Sequence, residues 1–230
     1  MSLKNPQELV LFHFRPHWLV CFLILVLFHA EAQQVPAVSF TCDFPGSDPS
    51  QYGISVSLDG RATYTSNGKV ARGSDSGDPV STDFMLPKPA VEHIFGLAKQ
   101  AHYFEGNLDY KKKNIASTGE KSLRYKDGQR NNVANYNYTT VPAAQELTTL
   151  FQGLSQTLEF GRRLEYDYRY QKLALDEELK RMDDLAGRDE LADVTVIAPI
   201  LKKIVNDQSV INSVRAKAQR LLEHASAGSK

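Results

Sequence analysis

Residues 52–64 read YGISVSLDGRATY, and the pattern of this stretch decides the fold class. Ile54, Val56 and Leu58 alternate with Ser55 and Ser57, a period of two that gives a strand one apolar and one wet face. Asp59-Gly60 follows and suits the positive-φ positions of a tight hairpin turn. Ala62 and Tyr64 then alternate with Arg61, Thr63 and Thr65 on the returning strand. Asn67-Gly68 predicts a second turn, with Lys69–Arg72 as a third strand.

Outward from this hairpin the period changes. Val91, Ile94, Phe95, Leu97, Ala98 and Ala101 recur with helical spacing behind Pro87 and Pro89, which suit a helix start. Gly96 inside that run predicts close packing on the sheet. Tyr103-Phe104 is expected to bury at the helix exit, and residues 106–119 read as a polar connection. The plan then repeats. Leu123 and Tyr125 alternate with Arg124 and Lys126, Asp127-Gly128 turns, and Ala134, Tyr136 and Tyr138 alternate with Asn135 and Asn137. Thr140 and Pro142 open a helix with Leu147, Leu150, Phe151, Leu154 and Leu158 on one face. Two hairpin-plus-helix units predict an α+β class: a small antiparallel sheet with two helices on one face. The other face would show Ser, Thr, Asn and Arg to solvent or to a partner.

The expected organisation is a signal peptide over 1–32, a lead-in over 33–51, the α+β domain over 52–160, a helical extension over 161–225 and a frayed end over 226–230. Within the Pro- and Gly-containing lead-in, Val38–Phe44 either adds a strand or tucks beneath the domain. In the all-α extension, Leu164, Tyr168, Leu175, Leu179, Met182 and Leu185 form one stripe, with Asp176–Lys180 and Glu177–Arg181 as i,i+4 ion pairs. Gly187 ends that helix and Asp189 caps the next. Leu191, Val194, Ile197, Leu201 and Val205 continue the spacing, and Pro199 kinks or restarts it. Val210, Val214, Ala218, Leu221 and Leu222 make a last helix. Residues 197–222 resemble one HEAT-type helix pair, and a single pair is an appendage rather than a solenoid.

The run Y-x-I-x-V-x-x-D-G-x-A-x-Y over Tyr52–Tyr64, the Leu86-Pro87 helix start and the Tyr103-Phe104 exit are similar to a family of small exported bacterial domains of unknown function. The resemblance spans residues 52–160 and implies the hairpin, helix, hairpin, helix layout and export. It implies no activity. Relatives carry an Asp-Pro-containing loop after the aromatic pair, where this chain has Asn107-Leu108-Asp109-Tyr110.

The N-terminus supplies its own address. Lys4 and Arg15 precede an apolar run from Trp18 to Phe28, and Ala30-Glu31-Ala32 forms an A-x-A site, the three parts of a secretory signal cleaved before Gln33. Such a run is shorter than the roughly 20 residues of a stable membrane span, although stretching it to Ala30 leaves an uncleaved anchor as the alternative. Export places the protein in the periplasm or outside the cell. Cleavage leaves Cys42 as the sole cysteine, which excludes an intramolecular disulfide and a multi-thiolate metal site. A buried small hydrophobe is the expected state, against pairing with a partner chain.

Charge and motifs narrow the function classes. Lys plus Arg and Asp plus Glu are 27 each, and removing 1–32 takes away Lys4, Arg15, Glu8 and Glu31 and leaves the balance even. The longest cationic run is Lys111–Lys113, so no nucleic-acid footprint is present. Asp75 and Asp78 with Ser74 and Ser76 lack the spacing and closing Glu of a calcium loop. His93 and His102 lie nine apart, outside any H-E-x-x-H pattern, and G-x-S-x-G and phosphate-cradling glycine motifs are absent. No cofactor and no catalytic set is expected. The residues singled out for binding are Tyr125, Tyr136 and Tyr138, because tyrosine-rich surfaces suit peptides or sugars, while alternating strand tyrosines are also ordinary half-buried sheet residues. Asn137-Tyr138-Thr139 is a glycosylation sequon, relevant in a eukaryotic host.

The expected function is a non-enzymatic module binding a protein or envelope component, touching the membrane only through an uncleaved signal segment. The alternative is a periplasmic hydrolase with carboxylates (Asp83, Glu92, Glu105, Asp109) and His93 or His102 in a cleft between sheet and tail. A third reading has the tail form a dimer.

Overall fold

In a computed structural model, residues 34–70, 77, 79–111 and 115–228 are described. The signal segment, the Ser74–Ser76 and Asp78 loop positions and Lys112-Lys113 lie outside the described residues. A compact unit begins at Val35.

The stretch Val38–Phe44, read as part of a lead-in, supplies the central strand. β1 (Ala37–Asp43) seals Val38, Phe40 and Cys42 on one face. It pairs antiparallel with β2 (Gln51–Ser57) on one side and with β5 (Glu120–Lys126) on the other. β3 (Arg61–Ser66) and β4 (Val80–Met85) extend one edge, and β6 (Asn131–Tyr136) forms the other, in the order β4-β3-β2-β1-β5-β6. The two hairpins of the sequence are thereby one six-stranded antiparallel sheet, joined through β1.

The turns differ from the dipeptide reading. Leu58 leaves the alternation, half exposed, because the strand ends at Ser57 and Leu58-Asp59-Gly60 form a three-residue loop. Only Gly60 takes positive φ, at 89°, while the Asp59 carboxylate accepts from the Arg61 backbone N–H and guanidinium. Asp127 likewise organises a four-residue loop, accepting the N–H groups of Gln129 and Arg130 at 2.7 and 2.6 Å. Asn67-Gly68 makes no hairpin. Its Asn67 side chain ties the chain back to Gln51 N–H and Ser50 Oγ, and Lys69-Val70 is not a strand; the partner of β3 is β4.

α1 (Lys88–Gln100) and α2 (Pro142–Tyr170) cover the same sheet face. The α+β class with a helical C-terminal part is thus present. Gly96 packs against nothing: a Cβ there meets no atom within 4 Å, contrary to the close approach expected. Gly96→Ala is accordingly expected to stabilise the fold by about 0.5–1 kcal/mol through helix propensity, read as a higher denaturant midpoint. Phe104 buries at the helix exit, in a short left-handed turn where His102, Tyr103 and Phe104 have φ of 51°, 53° and 63°.

α2 runs for 29 residues, roughly 43 Å at 1.5 Å per residue, well past the expected boundary at 160. Two cores share it. The first, between sheet and helices, includes α2 as far as Leu158; the second begins at Phe160 and includes α3 (Leu175–Ala186), α4 (Ala198–Asn206) and α5 (Asn212–Gly228). A 3-10 turn at Lys172–Ala174 divides α2 from α3, so the stripe from Leu164 to Leu185 spans two helices. Asp176 pairs across to Lys217 at 2.6 Å, and Arg181 to Glu178 at 3.3 Å. Pro199 restarts the chain in the first turn of α4. Asp189 caps nothing regular; the turn at Val194–Ile197 starts from Asp193, in the left-handed region at φ 46°.

Burial alone raises the Asp193 carboxyl above the usual carboxylate range. With the folded value above the unfolded one, its contribution to stability is full in acid and is lost as pH rises through the folded value. Asparagine carries no charge and tolerates the left-handed region. Asp193→Asn is expected to raise the melting midpoint at neutral pH and to lose that advantage in acid, checked by melting both proteins across pH.

Candidate functional site: the uncovered sheet face

Strand alternation sends one set of side chains under the helices and leaves the other set uncovered. Register builds the uncovered face in rows: Asp83, Thr63, Ser55, Ser39, Arg124 and Val133 across the middle, and Ser81, Thr65, Gly53, Thr41, Ser122 and Asn135 beside them. The centre is made of small hydroxylated side chains, with Ser39 and Ser55 hydroxyls bonded at 3.0 Å and Thr63 Oγ1 donating to Asp83 at 2.7 Å. No helix of the described residues packs on this face.

At one end the face deepens into a basin of about 1020 Å³, lined by Thr41, Asp43, Gln51, Thr65, Glu120 and Asn135. Gly53 forms its floor: a Cβ there would meet Thr65 Oγ1 at 3.1 Å and Thr41 Cγ2 at 3.5 Å. Glycine within a strand commonly marks such a close approach. Asp43 and Glu120 are directly opposed on β1 and β5, an unfavourable like-charge pair, and Asp43 accepts from Gln51 Nε2 at 2.7 Å.

Directly beneath, on the covered side, Ser66, Tyr52, Cys42, Lys121 and Tyr136 form one row across five strands. The Lys121 ammonium is buried yet fully used, donating to Thr118 O and Oγ1 at 2.8 Å, Asn137 O at 3.0 Å and Gly119 O at 3.1 Å. Burial lowers its pKa and raises that of the Cys42 thiol. A nucleophilic cysteine needs the opposite shift, so this row locks loop to sheet and offers no thiolate.

The tyrosines singled out from the sequence do not share a surface. Tyr125 lies under the helices, 4.6 Å from Tyr103 between ring centres, and Tyr136 donates or accepts at Thr148 Oγ1 at 2.6 Å. Both are in phase with Leu123 and Ala134, and that phase is the covered one. Tyr138 alone is exposed, beyond the end of β6, edge-on to Tyr110. The Asn137 carboxamide of the sequon is engaged, accepting from Thr118 N–H at 2.8 Å and donating to Ala116 O at 3.1 Å.

The side chains of the hydrolase reading are scattered. His93 Nε2 meets Glu146 at 2.8 Å on the outer surface of the helices, and His102 is exposed at the exit of α1. Asp83 is on the uncovered face, Glu92 beside Lys88 on α1, and Asp109 accepts the Asn137 N–H at 3.0 Å. They line no common cleft among the described residues. Nor does any group of three His, Cys, Asp or Glu side chains there stand close enough to hold a metal ion.

Sequence reasoning missed three buried carboxylates, Glu159, Asp167 and Glu178. Glu159 accepts from Tyr64 Oη at 2.8 Å, Ser66 Oγ at 2.5 Å and Arg162 Nη1 at 2.9 Å. Glu178 accepts from Arg163 Nε and Arg181 Nη1. Glu159 and Glu178 were signalled by phase: Glu159 follows Phe151 by eight on the apolar stripe of α2, and Glu178 precedes Met182 by four on that of α3.

No protein-family model matches the chain, and no curated protein matches it in sequence.

Proposed function

We propose that this is an exported, non-catalytic binding module of the bacterial cell envelope, akin to small exported domains of unknown function, that meets a protein or envelope component through its uncovered sheet face. One observation carries the reading: a six-stranded sheet buried on one side presents its second face, small-residue centre and basin included, with no helix of the described residues packed over it. An antiparallel sheet tolerates one wet face, which leaves that face free to meet a partner. The scattering of histidines and carboxylates supports binding over catalysis.

Export rests on the charged, apolar and A-x-A parts of residues 1–32. Cleavage before Gln33 removes nothing from the unit beginning at Val35. N-terminal sequencing of the protein from a secreting host is expected to begin at Gln33; recovery in membranes with Met1 intact overturns cleavage. For the surface, Ser55→Arg and Thr41→Arg are expected to abolish retention on isolated envelope fragments, while Lys99→Glu on the helix side leaves it unchanged. Equal retention of all variants sinks the assignment of this face.

A further inference from the structure

On the covered side of the sheet, one edge is incompletely sealed. Val38, Phe40, Ile54 and Val56 on the inner strands are fully covered by α1 and α2. On edge strand β4 the corresponding inward positions, Val80, Thr82 and Phe84, remain half-buried. Facing them are Val196, itself half-buried, and Ile197 and Ile200 from the turn and helix that follow. Between these walls lies a cavity of about 480 Å³, floored by Leu158 and Gly161 of α2. The floor and the far wall are in contact: a Cβ on Gly161 would sit 2.5 Å from Ile197 Cγ2, so helix and turn cannot slide together to close the gap.

We infer that this cavity is a binding site for a single hydrocarbon chain, of the kind carried by a free fatty acid or a one-chain lipid. Its volume falls within the roughly 300–1,000 Å³ of small-molecule sites, and its walls are mainly apolar with few polar groups. Apolar surface left facing water is unfavourable by roughly 25 cal/mol per Å², and a chain filling the slot removes both walls from water at once. Two of the rim charges are already matched, and the third, the Asp83 carboxylate, accepts from the Thr63 hydroxyl and adds negative charge to the mouth. Arg162 binds Glu159 and Ser66, and Glu165 binds Lys203 at 2.9 Å. The rim therefore gives no preference for an anionic headgroup, and the chain is what the site recognises.

The test uses the full chain, a fluorescent acyl probe, and palmitate and a lysophospholipid of equal chain length as competitors. Saturable displacement by both supports chain recognition; displacement by the lysophospholipid alone supports the same site with a membrane lipid as source. Thr82→Trp fills the slot and is expected to weaken the probe at least about tenfold, roughly 1.4 kcal/mol, whereas Lys99→Trp on the exposed side of α1 leaves it unchanged. No saturable displacement, or equal loss in both variants, overturns the inference. Should Thr82→Trp not fold, a photoactivatable fatty acid on the unaltered protein decides: crosslinks within 80–84 or 196–200 support it, and crosslinks elsewhere overturn it.

Discussion

Phe151→Ala is expected to cost about 3–5 kcal/mol, the range for deleting a buried phenylalanine from a close-packed core. Phe151 is fully buried and stacks on Phe40 with ring centres 5.4 Å apart and planes within 3°. Phe40 sits on the central strand β1, so this pair is where the longest helix meets the middle of the sheet. A void there cannot be filled by one neighbour, because strands on both sides of β1 hold it by backbone pairing. Against a total stability of roughly 5–15 kcal/mol, the loss is a large fraction. Urea unfolding followed by far-ultraviolet circular dichroism measures it, and a loss below about 1 kcal/mol would show that the stacked pair does not anchor helix to sheet. The second core is expected to unfold in the same transition, because α2 belongs to both. Two separate transitions, one in the helices and one in the sheet, would refute that coupling.

What could be read in advance depended on whether a residue's environment is set by its near neighbours in sequence. Alternation in 52–64 and in 123–138 and the helical periods of 91–101 and 142–158 are local signals, and they led to the right layers and the right covered face. The place of β1 was not local. Val38–Phe44 alternates like any short strand, and only its pairing with residues 51–57 and 120–126, far apart in sequence, makes it central. The same distance hid the site. A period of two says that Tyr125 and Tyr136 share a side with Leu123 and Ala134, which argues for burial, the reading strand propensity favours over a binding surface. The uncovered Ser and Thr rows were legible as a wet face, whereas the basin draws its lining from all six strands, which no single stretch encodes. Gly96 shows the converse error, since a glycine in a helix signals close packing only when a neighbour actually arrives there.

Glu178→Ala is the second change with a large expected effect, about 3–5 kcal/mol, the range for breaking a buried ion pair from one side. The Glu178 side chain is fully buried, Arg163 is largely so, and Arg181 reaches in from the surface. Both guanidiniums lie against the same ring, 4.7 and 6.0 Å from the centre of Phe160, where the second core begins. Without the carboxylate, two cations remain beside an aromatic face with no opposite charge between them, and the buried one cannot rehydrate freely. The cost is that stranded charge rather than the worth of the pair itself. Glu178→Leu combined with Arg163→Met replaces both buried members by apolar groups of similar size and is therefore expected to be markedly less destabilising than Glu178→Ala alone. A double-mutant cycle by urea unfolding reads the difference as a coupling energy. Additive costs would mean that the arginine is already hydrated in the folded protein, and that the junction between the two cores is held by Phe160 and its apolar neighbours alone.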